Sequence, residues 1–482
     1  MAHDSIRRTA TIHVRASVLE ARWQKLCALY LPRAPKDSMW RYAKGHRRQQ
    51  PSSGWKLHIS ATILSASTVL NKIAPFLTGR GVPFKAPRSL MEVGKLNSGL
   101  DYNYSQIGKI ITVYPRSDAE AVFLAQRLHK LTRRMSAPAV PFDLRFSDTS
   151  NVYYRFGAFQ HLELTRSGQQ VPAVNAPDGN LIPDIREQPK PDWASDPFVV
   201  RRPRSRPVGQ KAASSIRVVK ALVQRGKGGV YVAIDFSSGS PRPCLLKEGR
   251  KNGELTWDGR DGAWRIRNEE QVLTRLSKRG VPVPQVQSSF EMGGNRYLVM
   301  QYLDGETLHD TLLRRHRRLA VSRVLDYAIQ LAKFISQMHG VGWAWRDCKP
   351  KNLIVTRDGR LLPIDFEGAT PLNRLGPPRW GTPGFTPAQS RDRKVGNAAA
   401  EDLYGMGSTL FLLLTGRVFD PAEQFAIQKL RRGVPPTLRQ LVNSLLSDDP
   451  EIRPTAAATH ATLTSNFLNL KRPARLEEVK VA

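Results

Sequence analysis

The sequence predicts an α+β fold in two successive parts. Three observations carry this. A Pro- and Arg-rich stretch from Leu181 to Lys211 ("PDIREQPKPDWASDPFVVRRPRSRPVGQK") reads as an extended connector, since Pro fixes φ and removes backbone donors. Before it, strand-period and helix-period segments are interspersed. After it, strands come first ("GGVYVAID", "PCLLKE", "RYLVMQYL") and helices dominate later ("VLDYAIQLAKFISQMHG", "DLYGMGSTLFLLLTG"), which suggests two lobes.

In the first part, "GWKLHISA" alternates Trp55, Leu57 and Ile59 against Lys56, His58 and Ser60, the period of a half-buried strand. "SDAEAVFLAQRLHKL" opens with Ser117 and Glu120 at capping-box spacing and continues with a helical apolar period. "KIITVYP" and "NVYYRFGAF" read as further strands. The expected organisation is a domain over 1–200 with its core at about 54–160, a basic Pro-rich linker over 201–215, a second domain over 216–470 and a tail over 471–482.

Composition narrows the function classes. The 482 residues are 40% hydrophobic, enough for two or three globular cores. No apolar run is long enough to cross a bilayer, and the first twenty residues lack the apolar stretch of a secretory signal. Cys27, Cys244 and Cys348 lie far apart, which excludes a disulfide framework and zinc-ligand pairs and suits a reducing cytoplasm. Lys plus Arg number 74 and Asp plus Glu 41, so the net charge is +33 and points to acidic partners, unless it is only a solvated basic surface. Arg201, Arg202, Arg204 and Arg206 could touch such a partner. Charge alone favours nucleic acid, and no basic motif interleaved with aromatics supports it.

The stretch "WAWRDCKPKNL" follows a helix with apolar Leu325, Ala328, Leu331, Ala332, Ile335 and Met338 that ends at Gly340. A short strand, a turn at Asp358–Gly359 and a second strand ending in Ile364–Asp365–Phe366 come next. This resembles the catalytic and metal-binding loops of the protein kinase superfamily. The resemblance implies that Asp347 accepts the proton of a hydroxyl nucleophile, that Lys349 steadies the transferring phosphoryl group, and that Asn352 and Asp365 bind magnesium through oxygen. Lys247 matches the lysine that holds nucleotide phosphates. Glu269 shares a helical face with Val272, Leu273 and Leu276, so it and not Glu270 is the expected partner. Gly228 and Gly229 would form the phosphate-covering turn, and Met300–Leu303 the adenine hinge, with Gln301 and Leu303 binding. "GTPGFTPAQ", Asp402 and Arg453 resemble the activation-segment end, the buried anchoring acid and the closing Arg of the large lobe. Departures are Trp345 in place of His or Tyr, Glu367 in place of Gly, a degenerate Gly-rich loop, and no Glu in "TPAQ" to pair with Arg453. Losing Gly at 367 should make the loop flip less readily.

In the first part, Lys56 and His58 lie on one side of a strand. "GWKLHIS" with the later "FK" resembles the phosphothreonine lyases, and specifically the lyase domain of class III and IV lanthipeptide synthetases. Lyase, Pro-rich connector and divergent kinase is the order of those synthetases. The resemblance implies a phosphothreonine-lyase-like domain followed by a bilobal protein-kinase-like domain. It implies that ATP or GTP with magnesium phosphorylates Ser/Thr of a precursor peptide, and that phosphate is then eliminated. Lys85 would be the general base with a pKa depressed by burial and neighbouring cations. His58 would be the general acid, and Lys56, Lys109 and Arg155 would hold the phosphate. The synthetases continue into a cyclase domain, whereas this sequence stops soon after "LKRPARLEEVKVA", so ring closure is expected to need a separate cyclase or to proceed unaided. The acidic partner would be a leader segment of the peptide. Two rival readings remain at this level: a Ser/Thr kinase whose N-terminal domain recruits substrates, and a pseudokinase scaffold for a cyclase.

Overall fold

A computed structural model describes residues 2–44, 51–160, 162–198, 215–315, 318–373, 380–387, 397–423 and 426–471. Arg201–Arg206, most of the expected linker and the tail beyond Lys471 lie outside the described residues. The chain forms two compact units, one of Thr11–Ile266 with Ser289–Leu298, the other of Met1–Ala10, Arg267–Ser288 and Val299–Ala482. The division therefore does not follow the Pro-rich stretch: the first strands of the second half belong with the N-terminal domain.

The first unit begins in α1 (Ala2–Tyr30) and builds a six-stranded sheet from β1 (Trp40–Tyr42), β2 (Ser53–Ile59), β3 (Phe84–Pro87), β4 (Ile111–Val113), β5 (Leu144–Arg145) and β6 (Val152–Ala158). Its order is β1-β3-β4-β2-β6-β5, and each neighbouring pair is antiparallel. Strand alternation puts Leu57, Ile59, Phe84, Ile111, Val113, Val152 and Tyr154 on one face. They pack into a single core with α2 (Ala66–Gly79), α4 (Asp118–Thr132) and the Trp23, Leu26 and Cys27 face of α1. Burying each large apolar side chain contributes about 1.5–3 kcal/mol. Between them, α3 (Leu90–Ser98) ends at Gly99 in a left-handed conformation (φ 67°). Ser117 caps α4 as expected, its Oγ accepting the Glu120 N–H, while the Glu120 side chain reaches one residue past the N-cap and accepts the Arg116 N–H at 2.6 Å.

Two expectations are corrected here. β2 is not half-buried: His58 and Ser60 on its second face are buried, because the loop over 136–143 covers that side, with Ser60 Oγ donating to Pro138 O. Residues 181–198 are not an extended connector either. β7 (Glu163–Arg166), β8 (Gln169–Asn175) and β9 (Leu181–Pro183) form a small sheet. Beyond it Ala194 and Phe198 join the core, Phe198 against Trp55 and Tyr154. Prolines leave a segment short of donors, but apolar side chains between them can still dock. The core accordingly extends well past 54–160, from Trp23 to Phe198.

The unit continues with β10 (Ile216–Arg225), β11 (Gly228–Asp235) and β12 (Arg242–Gly249), paired in sequence and antiparallel. α5 (Gly262–Lys278) follows and passes into the second unit at Arg267; of the hairpin β13 (Val286–Met292) and β14 (Asn295–Gln301), only Ser289–Leu298 belongs to the first unit, and the strand order is β10-β11-β12-β14-β13. Trp257 packs against the N-terminal core, which ties these strands to that domain.

In the second unit, β15 (Gly305–Thr307) leads through α6 (Leu308–Arg314) to α7 (Val321–Gly340), whose buried face is the one the helical period predicts, Leu325 to Met338. Next come β16 (Trp343–Ala344), β17 (Leu353–Thr356), β18 (Leu361–Pro363) and β19 (Thr370–Pro371). β16 pairs with β19, and β17 with β18 and β15. α8 (Ala398–Thr415) is buried almost all round, as its near-continuous apolar sequence requires. α9 (Ile427–Leu430), α10 (Pro436–Leu445) and α11 (Ala456–Lys471) complete the unit. Among the described residues, no helix is long and apolar enough to cross a membrane.

Candidate active sites

Sheet register assembles the first site. On β2, Lys56 stands opposite Arg155 of β6. Thr112 of β4 stands opposite both His58 of β2 and Lys85 of β3. Three strands that are far apart in sequence thus deliver Lys56, His58, Lys85 and Arg155 to the face away from the core. Lys109 enters from the loop before β4, its ammonium 2.7 Å from Asp143 Oδ1. All five residues predicted from the sequence reach this one face.

Sequence reasoning missed three further groups. Asp143, its side chain fully buried, lies 2.6 Å from His58 Nδ1 as well as beside Lys109. Burial pushes its carboxyl up, but the hydrogen bond from His58 and the neighbouring Lys109 hold it down at about 2. An ionised carboxylate only accepts, so His58 Nδ1 carries the hydrogen and Nε2 faces the site as an acceptor. Asp184, the residue after β9, accepts from Arg155 at 2.5 Å and from the Ala158 N–H at 3.2 Å. Arg186 adds a positive charge that acts on both Lys85 and Lys109. Only an acid flanked by apolar residues in "VPFDLRF" hinted at Asp143, and nothing in the sequence spacing links it to a histidine 85 positions away.

The electrostatics favour neutral bases. Burial pushes Lys85 down to about 8, helped by Arg186, and its ammonium sits 4.2 Å from the centre of the Trp40 ring. Lys56 falls to about 7, first through burial and then through Arg155, Lys85 and Lys109, with Asp184 opposing. Burial likewise lowers His58 to about 4, although Asp143 pulls the other way. Arg155 Nε is buried with no hydrogen-bond partner among the described residues. Buried cations with unfilled donor capacity are what an incoming dianion would satisfy. A cavity of about 230 Å³ opens beside Arg155, lined by Phe156, Ile182, Asp184 and Trp193.

The residues of the second site Asp347, Lys349, Asn352, Asp365, Glu269 and Glu367 lie in the second unit, whereas Lys247, Gly228 and Gly229 lie in the first. Lys349 Nζ donates to Asp347 Oδ2 at 2.6 Å and to Thr382 Oγ1 at 2.7 Å, and Thr382 donates back to Asp347 Oδ1. Asn352 Nδ2 donates to Asp347 Oδ2 at 2.8 Å and to its backbone oxygen, which leaves Asn352 Oδ1 as the oxygen it can offer a metal. Burial raises the Asp347 pKa; Lys349 opposes this and Asp365 adds to it. The Ile364 N–H bonds to Asn352 O, holding the two loops together as the intervening hairpin predicts. Carboxylate oxygens of Glu269, Asp365 and Glu367 lie within 4.8 Å of one another, a donor set of hard oxygens suited to magnesium. Glu269, fully buried, accepts the Phe366 N–H at 3.0 Å.

The departures from the kinase pattern find local explanations. Trp345 stacks on Phe366 and donates from Nε1 to Asp365 O at 3.1 Å, so the indole props the loop that carries Asp365. Positive φ falls on Asp365 (64°) and not on Glu367, so position 367 does not demand glycine. Arg453, without an acidic partner in "TPAQ", donates to Ala400 O and Ser447 O and lies over the Tyr404 ring. Ala388 and Gln389 are outside the described residues. Asp402 accepts the N–H groups of Trp345 and Arg346, fixing the catalytic loop on α8. Elsewhere, Lys247 is buried in β12 opposite Val230, and Gln301 and Leu303 lie at and just beyond the end of β14. Gly228 and Gly229 open β11, one step after the actual turn at Gly226–Lys227.

Comparison with known proteins matches two successive parts of the chain. The model of the RamC N-terminal domain matches residues 32–209, and that of the protein kinase domain matches 244–463. The chain is 30% identical over 384 residues to a protein named "Probable SapB synthase" of Streptomyces coelicolor, covering 76% of this chain and 40% of that protein. It is 28% identical over 261 residues to serine/threonine-protein kinase PknA of Nostoc sp. (50% and 45%) and 29% identical over 226 residues to serine/threonine-protein kinase F of Synechocystis sp. (41% and 43%). The chain spans less than half the length of these relatives.

Proposed function

The chain joins a RamC N-terminal domain to a protein kinase domain, and from that pairing we propose that it is a peptide dehydratase that phosphorylates Ser/Thr and then eliminates the phosphate. In the first step Asp347 orients a peptide hydroxyl and takes its proton while the oxygen bonds to the terminal phosphorus of ATP or GTP. The bond to the departing nucleoside diphosphate breaks. Lys349 offsets charge on the transferring group, and Lys247 holds the remaining phosphates. Magnesium, held by Asn352 and Asp365, would neutralise phosphate charge when bound.

In the second step neutral Lys85 removes the α-proton of the phosphorylated residue. The electron pair forms the Cα–Cβ double bond, and the Cβ–O bond breaks with its pair leaving on the phosphate. Lys56, Lys109 and Arg155 stabilise that growing charge. Burial favours neutral His58, and the arriving dianion favours its protonated form, which then donates to the leaving oxygen. The products are dehydroalanine or dehydrobutyrine and inorganic phosphate. The observation that carries this reading is the shared row of Lys85, Thr112 and His58, with the Lys56–Arg155 pair beside it.

The resemblance to lanthipeptide synthetases supports a peptide substrate, and the +33 charge supports an acidic leader on it. Three buried free thiols suit a reducing cytoplasm. The test is mass spectrometry of a Ser/Thr-rich precursor peptide incubated with the protein, nucleotide and magnesium. Dehydration is the expected result. A stable phosphopeptide would leave a kinase with a recruiting domain, and an unchanged peptide would leave a scaffold for a separate cyclase.

A further inference from the structure

Gly226 stands at the apex of the β10–β11 hairpin, and its backbone touches the N-terminal domain. Its N–H donates to Ser98 O at 2.9 Å. A Cβ at position 226 would lie 1.6 Å from Asn97 O, so only glycine seats the hairpin on the end of α3. The other side of the turn is held by its own lobe. Lys227 O accepts the Arg250 N–H at 2.8 Å, and a Cβ at Gly262 would meet Lys227 O at 1.8 Å. In a kinase-like lobe this hairpin is the one that covers the nucleotide phosphates. Here it is gripped from two sides.

The end of α3 is also tied to the cationic face. Asn97 Nδ2 donates to Ala61 O at 2.9 Å, and Asn97 Oδ1 accepts the Gly108 N–H at 3.2 Å. Ala61 follows His58 by three residues, and Gly108 precedes Lys109. A second connection runs alongside. Arg250, three residues beyond Lys247, places its guanidinium 5.3 Å from the centre of the Tyr104 ring. Tyr104 meets Phe142 edge to face at 5.8 Å, and Phe142 precedes Asp143. Asn252 Nδ2 also donates to Ala137 O at 3.2 Å.

We propose that the N-terminal domain is a positioning element for the kinase step: through Asn97, Ser98 and Tyr104 it holds the nucleotide-covering hairpin in place. Nucleotide binding and the phosphate-eliminating pocket are thereby coupled, and linkage requires the coupling to act in both directions. This inference rests on the nucleotide-binding reading of the second domain.

The test titrates the full chain with a fluorescent ATP analogue and magnesium. Tyr104→Ala changes only the N-terminal domain, yet it should weaken the analogue's binding by about fivefold or more with the unfolding midpoint retained. Tyr104→Phe keeps the ring but loses the hydroxyl's bond to Arg250, so its affinity should fall between those of the wild type and Tyr104→Ala. Gly226→Ala should weaken binding at least as much; if it does not fold, the two Tyr104 variants decide. Equal affinity in Tyr104→Ala and wild type overturns the proposal, as does a loss of binding that only tracks a collapsed midpoint. A wild type that binds no analogue overturns the nucleotide-binding reading itself, and this inference with it.

Discussion

Asp143 accepts the Nδ1–H of His58 at 2.6 Å and so fixes which imidazole nitrogen faces the cationic pocket. Its other oxygen lies 2.7 Å from Lys109 Nζ. One buried carboxylate therefore orients the expected acid and anchors a phosphate-holding cation.

Asp143→Asn keeps the shape but removes the charge that favours an imidazolium. Elimination from a phosphopeptide should fall about a hundredfold, and phosphorylation of unmodified peptide should persist. Phosphopeptide accumulating in a mass-spectrometric time course is the expected sign. Unchanged dehydration would remove Asp143 from the mechanism.

Lys85→Ala should cost at least about a hundredfold in elimination and leave phosphopeptide as the end product. If that variant dehydrates normally, another group is the base.

The pH dependence has a definite sign. Lys85 must lose its proton to act, so elimination rises with pH towards about 8. Lys56, held near 7, loses its charge over the same range and grips the free dianion less well as pH increases. kcat/KM for a phosphopeptide should therefore peak between about 7 and about 8. A profile that still climbs steeply through pH 9 would contradict the depressed lysines.

Asp347→Asn should lower phosphoryl transfer by about a hundredfold or more while a pre-phosphorylated peptide is still dehydrated. Assaying both substrates on the same variant separates the two sites.

Asp402→Ala leaves the buried N–H groups of Trp345 and Arg346 without their acceptor. Each lost acceptor costs about 1–3 kcal/mol. Thermal unfolding should shift down accordingly and phosphorylation should fall with it, whereas Asp402→Asn, retaining one oxygen, should lose less.

Much of the second site was readable in sequence because its parts are close along the chain. Asp347, Lys349 and Asn352 share one loop, and a single hairpin returns Asp365 to it. The resemblance to kinase loops picked these residues out, and their closeness along the chain is why the fold brings them together. The period of α7 likewise announced its buried face. Trp345 looked like a bare departure from pattern, because its bond to Asp365 O is visible only once the loop is folded.

The first site was legible only in pieces. Alternation along β2 put Lys56 and His58 on one side, which any strand must do. What sequence could not say is that β3, β4 and β6 pair with β2 in the register that lines up Lys85, Thr112 and Arg155, because strand order and register are set by the packing of the opposite, apolar face. The same packing draws 181–198 onto the domain and brings in Asp184, against the extended reading its prolines invited. Sequence thus determined the chemistry carried by each segment. Tertiary structure decided which segments meet, including the seating of Gly226 against Asn97, because those contacts depend on non-local burial that no local pattern encodes.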